Sequence, residues 1–94
     1  MNRVRLEWDE DKRRANLLTH GVDFRDAGVV FDSRTVSFED DRGSYGERRF
    51  VTFGMLHDRL IAIVHTERDE KIRSISMRKA SKHEERSYFS RIRD

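Results

Sequence analysis

The sequence predicts an α+β domain with a mostly antiparallel sheet, two N-terminal helices packed on one face of the sheet, and a C-terminal helix. Two kinds of observation lead to this fold class. Apolar and polar residues alternate in several short segments, whereas other segments carry helix caps and helical spacing. In chain order they read strand, helix, helix, four strands and helix, which is typical of the α+β class. We expect residues 1–94 to form a single domain.

The first strand and helix are predicted by alternation and by end signals. Val4–Trp8 alternates apolar and polar residues, so it reads as an opening strand. Asp9 is a suitable N-cap for a helix over Glu10–His20, and Gly21 follows as a C-terminal glycine. Because this helix has few apolar residues, we expect it to lie across the sheet.

A second helix and a short strand follow. Asp23 is a good N-cap, and four residues recur behind it at helical spacing: Phe24, Ala27, Gly28 and Phe31. The two helices therefore form an αα-hairpin. Thr35–Phe38 reads as a strand, and the polar residues 39–46 read as a loop.

The second half of the chain reads as a strand meander closed by a helix. Glu47–Met55 has strand character, and Leu60–Val64 and Ile72–Met77 form a hairpin around the charged residues 68–71. Strict alternation places Ile61, Ile63, His65 and Glu67 on one face of the first strand of this hairpin. On the second strand it places Ser74, Ser76 and Arg78 on one face, and Arg73, Ile75, Met77 and Lys79 on the other. Ser81 and Glu84 match the S-x-x-E capping box of a last helix, whose apolar stripe is Tyr88, Phe89 and Ile92.

Composition narrows the function and the compartment. The segment 68–94 has nine Lys or Arg against five Asp or Glu, whereas the rest of the chain has eleven against thirteen. A basic C-terminal third suits a polyanion such as RNA or DNA. The chain has no cysteine and no long apolar run, so we expect a soluble cytoplasmic protein.

Several kinds of chemistry lack their signatures. The four histidines, His20, His57, His65 and His83, follow no metal-ligand spacing. Gly43 and Gly46 are not followed by the helix of a phosphate-binding loop, and no nucleophile elbow is present. We therefore expect neither a metal nor a cofactor.

Metal-free cleavage of RNA remains compatible with the residues. The 2′-OH of RNA attacks its own phosphate, so an enzyme needs a base, an acid, and cations for the developing charge. Either Glu67 or His65 is a candidate for the base. Arg49, Arg68 and Arg78 are candidates for binding the phosphate, because the guanidinium fork matches phosphate oxygens.

Four stretches give the chain a family resemblance. They are WDEDKRRANLLTHGVDFRDAGVVFD (8–32), GERRFVTFG (46–54), VHTERDEKIRSISMRKA (64–80) and ERSYF (85–89). In this order they resemble the BrnT family of bacterial toxins, small ribonucleases of type II toxin–antitoxin systems with a RelE-like fold. Ser74 and Met77 depart from the expected Ile and Ala, which bears on packing rather than on chemistry.

The resemblance implies site residues and a partner. It gives active-site roles to Arg49, His65, Glu67, Arg68 and Arg78, and extends them to Lys79 and Tyr88. We expect Lys79 and Tyr88, together with Arg48 and Arg73, to bind the RNA. Lys12, Asn16 and His20 also match the family, but we expect them to organise the first helix. The implied partner is a BrnA-like antitoxin with a ribbon-helix-helix domain that binds operator DNA, and the implied effect of the free toxin is slower translation.

Two other functions are compatible with the same residues. The first is a non-catalytic module that binds nucleic acid or protein through the basic sheet, and it predicts salt-dependent binding of RNA or DNA without turnover. The second is a protein-interaction domain that uses the apolar stripe of the last helix. An assay of RNA cleavage distinguishes these two functions from the toxin, because only the toxin is expected to cut RNA.

Overall fold

A mixed five-stranded sheet organises the computed structural model, which describes residues 5–41 and 46–93. In chain order the elements are β1 (Arg5–Glu7), α1 (Glu10–His20), a 3₁₀ turn (Phe24–Asp26), α2 (Ala27–Asp32), β2 (Val36–Asp40), β3 (Arg49–Leu56), β4 (Arg59–Arg68), β5 (Lys71–Lys79) and α3 (Lys82–Ile92). The strand order across the sheet is β1-β5-β4-β3-β2. Val4, predicted to begin the first strand, and residues 42–45 of the predicted loop lie outside the described residues.

The pairing of β1 corrects the predicted sheet. Strand β1 pairs parallel with β5, with Leu6 opposite Ile72, whereas the β5–β4, β4–β3 and β3–β2 pairs are antiparallel. The sheet is therefore mixed and not mostly antiparallel as predicted. A three-residue strand carries no local signal for its neighbour or direction, so its place is decided by long-range packing.

Helix α1 has the predicted ends but an unexpected contact with the sheet. The Asp9 side chain accepts from the backbone N of Lys12, and Gly21 ends the helix at φ 71°. Asn16 is the buried residue of α1; its amide nitrogen donates to Met77 O (2.8 Å) and its amide oxygen accepts from Met77 N (3.1 Å). Leu18 is 90% exposed. The side-chain amide of Asn16 thus attaches α1 to the sheet. It satisfies the backbone N–H and C=O of Met77, a residue of β5 that lies beyond the segment paired with β1.

The second helical segment supplies the apolar contacts that α1 lacks. Asp23 is the predicted N-cap, but the segment begins as the 3₁₀ turn before α2. Its buried residues Val22, Phe24, Ala27 and Val30 pack against Leu56, Ile61, Ile63 and Met77, with Leu6, Trp8 and Phe31 at the margin. This cluster lies on one face of the sheet, which we call the core face.

Helix α3 lies on the opposite face. Tyr88 and Ile92 pack with Leu60, Ala80, Val36, Phe53 and Met55, which alternate with the core-face residues along their strands. The predicted capping box is present: Ser81 Oγ accepts from Glu84 N, and Glu84 accepts from Ser81 N. Helices therefore cover both faces, and α3 leaves the half of its face near the β4–β5 turn open. Among the described helices, none is long and apolar enough to span a membrane.

The β4–β5 hairpin is longer than predicted and contains a bulge. Its strands meet at a two-residue turn, Asp69 and Glu70, where both residues have positive φ (52° and 63°). Between Val64 and His65 the register shifts, so that Val64 faces Ser76 while His65 faces Ser74. The bulge breaks the predicted alternation on β5 and turns Ser74, 2% exposed, towards the core.

Candidate active site

A charged groove of about 530 Å³ opens at the β4–β5 turn, where the sheet is not covered by α3. Its walls are the ends of β1 and β4 and the starts of β3 and β5. The lining residues are Glu7, Glu47, Arg48, Thr66, Glu67, Arg68, Asp69, Lys71 and Arg73. We call this feature the groove.

Glu67 is the carboxylate of the groove with no fixed partner. It lies on β4 opposite Ile72, with its side chain exposed. Within the described parts of the chain it forms no hydrogen bond or ion pair. Arg48 lies near enough for its charge to interact with that of Glu67. An exposed, uncommitted carboxylate beside a cation can accept a proton from a substrate.

Arg48 is oriented by two neighbours. Its guanidinium donates to both carboxylate oxygens of Glu39 (3.0 and 2.9 Å), an interaction that raises the pKa of Arg48. The same guanidinium lies 5.4 Å from the centroid of the Phe50 ring. This ion pair and this cation–π contact fix a positive charge at the groove wall.

The other cations of the groove have weaker partners. Arg73 Nη1 lies 3.3 Å from Glu7 Oε2, and Arg68 Nε lies 3.8 Å from Asp69 Oδ2. The Arg68–Asp69 pair is largely exposed, and the Arg73–Glu7 pair is about half exposed. Exposed pairs of this kind contribute little to stability, about 0 to 1 kcal/mol, so a phosphate can replace the carboxylates.

Five groove residues were missed by the sequence reasoning: Glu7, Glu47, Thr66, Asp69 and Lys71. Asp69 belongs to the tight turn and Lys71 follows it directly; this turn lacks the Asn-Gly or Asp-Gly pair that is typical of two-residue hairpin turns. Recognition of a two-residue turn at Asp69-Glu70 would have extended both strands and placed Lys71 beside Arg68.

His65, predicted for the active site, lies in the core. It is 1% exposed, its Nε2 lies 2.7 Å from Thr52 Oγ1, and its ring contacts those of Phe31 and Phe50. Burial lowers the pKa of His65 to about 4, so the ring is neutral near neutral pH. His65 and Glu67 lie on the same face of β4, as predicted. Core residues cover His65, whereas Glu67 is exposed to solvent.

Arg78 and Arg49 do not line the groove. Arg78 donates to Glu84 of α3 through both terminal nitrogens (2.8 and 2.9 Å). Arg49 is half-buried on β3, with Nη2 4.0 Å from Glu47 Oε1. By strand alternation both belong to the face that carries α3, as do the groove residues Thr66, Arg68, Lys71 and Arg73, whereas Glu67 belongs to the core face and reaches the groove at the end of β4.

Two predicted RNA-binding residues lie away from the groove. Lys79 ends β5 at the far side of the sheet, opposite Ile61. Tyr88 is buried, its hydroxyl donates to the carbonyl of Arg34, and burial raises its pKa. Of the nine predicted residues, the groove thus brings together four: Arg48, Glu67, Arg68 and Arg73.

Comparisons with known proteins identify the family. Among the described residues, no group of three or more His, Asp or Glu is placed to hold a metal ion. A comparison with curated proteins gives no match. The crystal structure of the Brucella abortus ribonuclease toxin BrnT matches with a TM-score of 0.63 and 25% sequence identity, over 84% of this chain and 99% of that chain. The model of the family described as "Ribonuclease toxin, BrnT, of type II toxin-antitoxin system" matches residues 8–84. The chain therefore belongs to the BrnT family of ribonuclease toxins.

Proposed function

We propose that the chain is a metal-independent endoribonuclease whose active site is the groove, within the single domain predicted for residues 1–94. The observation that carries this proposal is the position of Glu67, a carboxylate without a hydrogen-bond or ion-pair partner among the described residues, in the groove that Arg48, Arg68, Lys71 and Arg73 also line. A base beside several cations is what attack by a 2′-OH on the adjacent phosphate requires. Membership of the BrnT family supports ribonuclease activity, and the groove is the proposed location of that activity.

In the proposed reaction, Glu67 takes the proton of the 2′-OH. The 2′-oxygen then forms a bond to phosphorus while the bond from phosphorus to the 5′-oxygen breaks. Lys71 protonates the departing 5′-oxygen, because its ammonium releases a proton far more readily than a guanidinium. The products are a 2′,3′-cyclic phosphate and a 5′-hydroxyl.

The arginines of the groove supply the positive charge that a bound metal ion would otherwise supply to the phosphate. Arg68 and Arg73 exchange their exposed carboxylate partners for the phosphate, whose negative charge grows in the transition state. Arg48, fixed by Glu39, adds a positive charge next to Glu67. Arg49 contacts a neighbouring phosphate on the face leading to α3, whereas Arg78 is committed to Glu84 and takes no direct part.

The proposal excludes His65, Tyr88 and Lys79 from the chemistry. The His65 ring and the Tyr88 hydroxyl are buried and committed to Thr52 and Arg34. Lys79 lies at the end of β5 far from the groove. Glu67 rather than His65 is therefore the proposed base.

Type II toxin–antitoxin systems pair a toxin with an antitoxin, so family membership implies an antitoxin partner. We propose that this partner is a BrnA-like ribbon-helix-helix protein, which neutralises the toxin and binds operator DNA in the complex. The free toxin inhibits translation by cutting RNA in the cytoplasm.

The test is cleavage of bulk RNA by the purified protein in excess EDTA, with analysis of the fragment ends. Wild type is expected to leave 2′,3′-cyclic phosphates, whereas Glu67→Gln is expected to lose about 10²-fold or more in rate. Glu70→Gln is the matched control, because Glu70 is an exposed carboxylate in the turn that follows β4 and does not line the groove.

Three outcomes contradict the proposal. Cleavage that appears only when Mg²⁺ is restored would show a metal-dependent reaction. Equal cleavage by wild type and Glu67→Gln would remove Glu67 from the site. Salt-dependent RNA binding without cleavage would favour the non-catalytic module.

A further inference from the structure

The outward side of α3 carries an exposed aromatic ring flanked by cations. Phe89 is 47% exposed, although Tyr88 beside it is buried against the sheet. A shallow depression of about 450 Å³ surrounds this ring. Its lining residues are Lys82, Glu85, Arg86, Phe89, Ser90 and Arg93, which we call the α3 strip.

Helical geometry makes the strip continuous. Lys82, Arg86, Phe89 and Arg93 follow one another at intervals of three or four residues, so they form one line along the helix. At about 1.5 Å per residue this line is roughly 16 Å long. A cation therefore stands on each side of the Phe89 ring.

The charge of the strip is strongly positive. It holds three Lys or Arg residues against one carboxylate, Glu85. Glu84 does not reduce this charge, because its carboxylate is bound to Arg78 on the sheet side. The strip thus suits a flexible anionic ligand.

We infer that the α3 strip binds a single-stranded segment of the RNA substrate outside the groove, an inference that rests on the proposed function. A base stacks on the Phe89 ring, and the flanking cations bind the phosphates on either side of it. This combination of an exposed ring with a line of cations is the general means of holding single-stranded nucleic acid without sequence preference.

RNA fits this surface better than a protein partner does. The cores of protein interfaces are rich in apolar residues and poor in charge. Phe89 is the single apolar residue among the described residues that line the strip, and the others are polar or charged. Stacking of one base needs only one ring.

The position of α3 relative to the groove sets the length of RNA that reaches both. Lys71 lines the groove at the start of β5, and α3 begins shortly after Lys79 at its end. At about 3.3 Å per residue, β5 places the start of α3 roughly 25 Å from Lys71, and Phe89 lies about two turns further along that helix. A very short RNA therefore occupies the groove alone, whereas a longer strand continues across the sheet to α3.

The test measures binding of single-stranded 2′-O-methyl RNA, which cannot be cleaved by 2′-OH attack. With an oligonucleotide of about 15 nucleotides, Phe89→Ala is expected to weaken the affinity by about 5-fold or more, the usual loss of one stacked base. Arg86→Ala is expected to weaken it and to reduce the salt dependence by about 0.7 in log–log slope. With a trinucleotide, neither change is expected to alter the affinity.

Controls separate stacking from folding. Leu18→Ala and Arg14→Ala remove an exposed apolar and an exposed basic side chain from α1 and are expected to leave RNA affinity unchanged. Phe89→Trp, which keeps an aromatic ring, is expected to retain wild-type affinity. Circular dichroism checks that each variant is folded.

Unchanged affinity of folded Phe89→Ala for the longer RNA would overturn the inference. Loss of antitoxin binding with intact RNA binding would also overturn it, by assigning the strip to a protein partner. The two proposals can fail independently, because they are tested by different measurements. Glu67→Gln tests RNA cleavage in the groove, whereas Phe89→Ala tests RNA binding at the α3 strip.

Discussion

Arg78 and Glu84 join the sheet to α3 through a two-point ion pair. Arg78 Nη1 and Nη2 lie 2.8 and 2.9 Å from the two carboxylate oxygens of Glu84. Glu84 also accepts from the backbone N of Ser81, so one carboxylate serves both the ion pair and the helix cap. The hydrogen bonds from Arg78 are the main cause that lowers the pKa of Glu84 to about 2.

The lowered pKa predicts acid sensitivity. The carboxylate stabilises the fold above its ordinary pKa of 4.5, and this contribution is lost as pH falls through about 2. Glu84→Gln keeps the capping box, because Gln also serves at that position, but it removes the charge. We expect the variant to be less stable near neutral pH by roughly 1 kcal/mol and to lose less stability on acidification. Thermal unfolding at several pH values checks this, with Glu85→Gln as the control. An equal acid response in wild type and Glu84→Gln would contradict it.

The buried His65 predicts a second pH effect at higher pH. Its pKa falls from 6.5 to about 4 because burial disfavours the charged ring. The unfolded chain therefore binds this proton more readily, and stability decreases as pH falls from 6.5 towards 4. His65→Leu, which cannot titrate, is expected to flatten the unfolding free energy in this window.

The same variant separates a core role from a catalytic one. If Glu67 is the base, His65→Leu retains RNA cleavage near neutral pH at close to the wild-type rate, provided that circular dichroism shows a folded protein. Loss of cleavage in folded His65→Leu would return the base to His65.

The turn of the β4–β5 hairpin offers a stabilising substitution. Glu70 has φ 63°, a conformation that disfavours side chains other than Gly, Asn and Asp. Glu70→Gly creates the Asp-Gly pair typical of two-residue hairpin turns and is expected to stabilise the protein by about 1 kcal/mol. Chemical denaturation measures the change. Glu70→Ala retains the strain, so an equal gain in both variants would contradict this explanation.

Gly54 permits the close contact of α2 with β3. A Cβ atom at this position would lie 2.7 Å from the carbonyl oxygen of Val30 and 2.7 Å from Ser33 Oγ. Ser33 Oγ accepts from the backbone N of Met55, so the clash would disturb the bond that joins helix to strand. We expect Gly54→Ala to destabilise the protein by about 1 to 3 kcal/mol.

Gly28→Ala is the matched control for this steric argument. A Cβ atom there would meet Leu6 Cδ1 at 3.4 Å, close to ordinary contact, and Ala favours the helix. Thermal unfolding of both variants gives the comparison. A tolerated Gly54→Ala would show that the end of α2 moves without loss of stability.

Features that depend on a few neighbouring residues could be predicted from the sequence. The caps at Asp9, Gly21 and Asp23 and the Ser81–Glu84 box are present as predicted. Each is set by a local hydrogen bond or backbone angle, which the residue type largely decides. The order of the strands along the chain was readable for the same reason.

The candidate site was only partly predictable. Glu67 and Arg68 were chosen because charged residues follow an apolar strand, and both line the groove. His65 belongs to the same pattern, yet its ring is buried between Phe31 and Phe50. Periodicity gives the face of a side chain, whereas the elements packed on that face decide its exposure.

The sequence by itself determined the ends of α1, the caps, the approximate positions of the strands, the basic C-terminal third and the family resemblance, because these follow from local interactions or from the residues themselves. The tertiary structure decided the parallel pairing of β1, the bulge at His65, the face that α3 covers and the walls of the groove. These features depend on contacts between residues far apart in the chain, such as Asn16 with Met77 and Arg78 with α3. Their free energies arise only when the sheet has assembled.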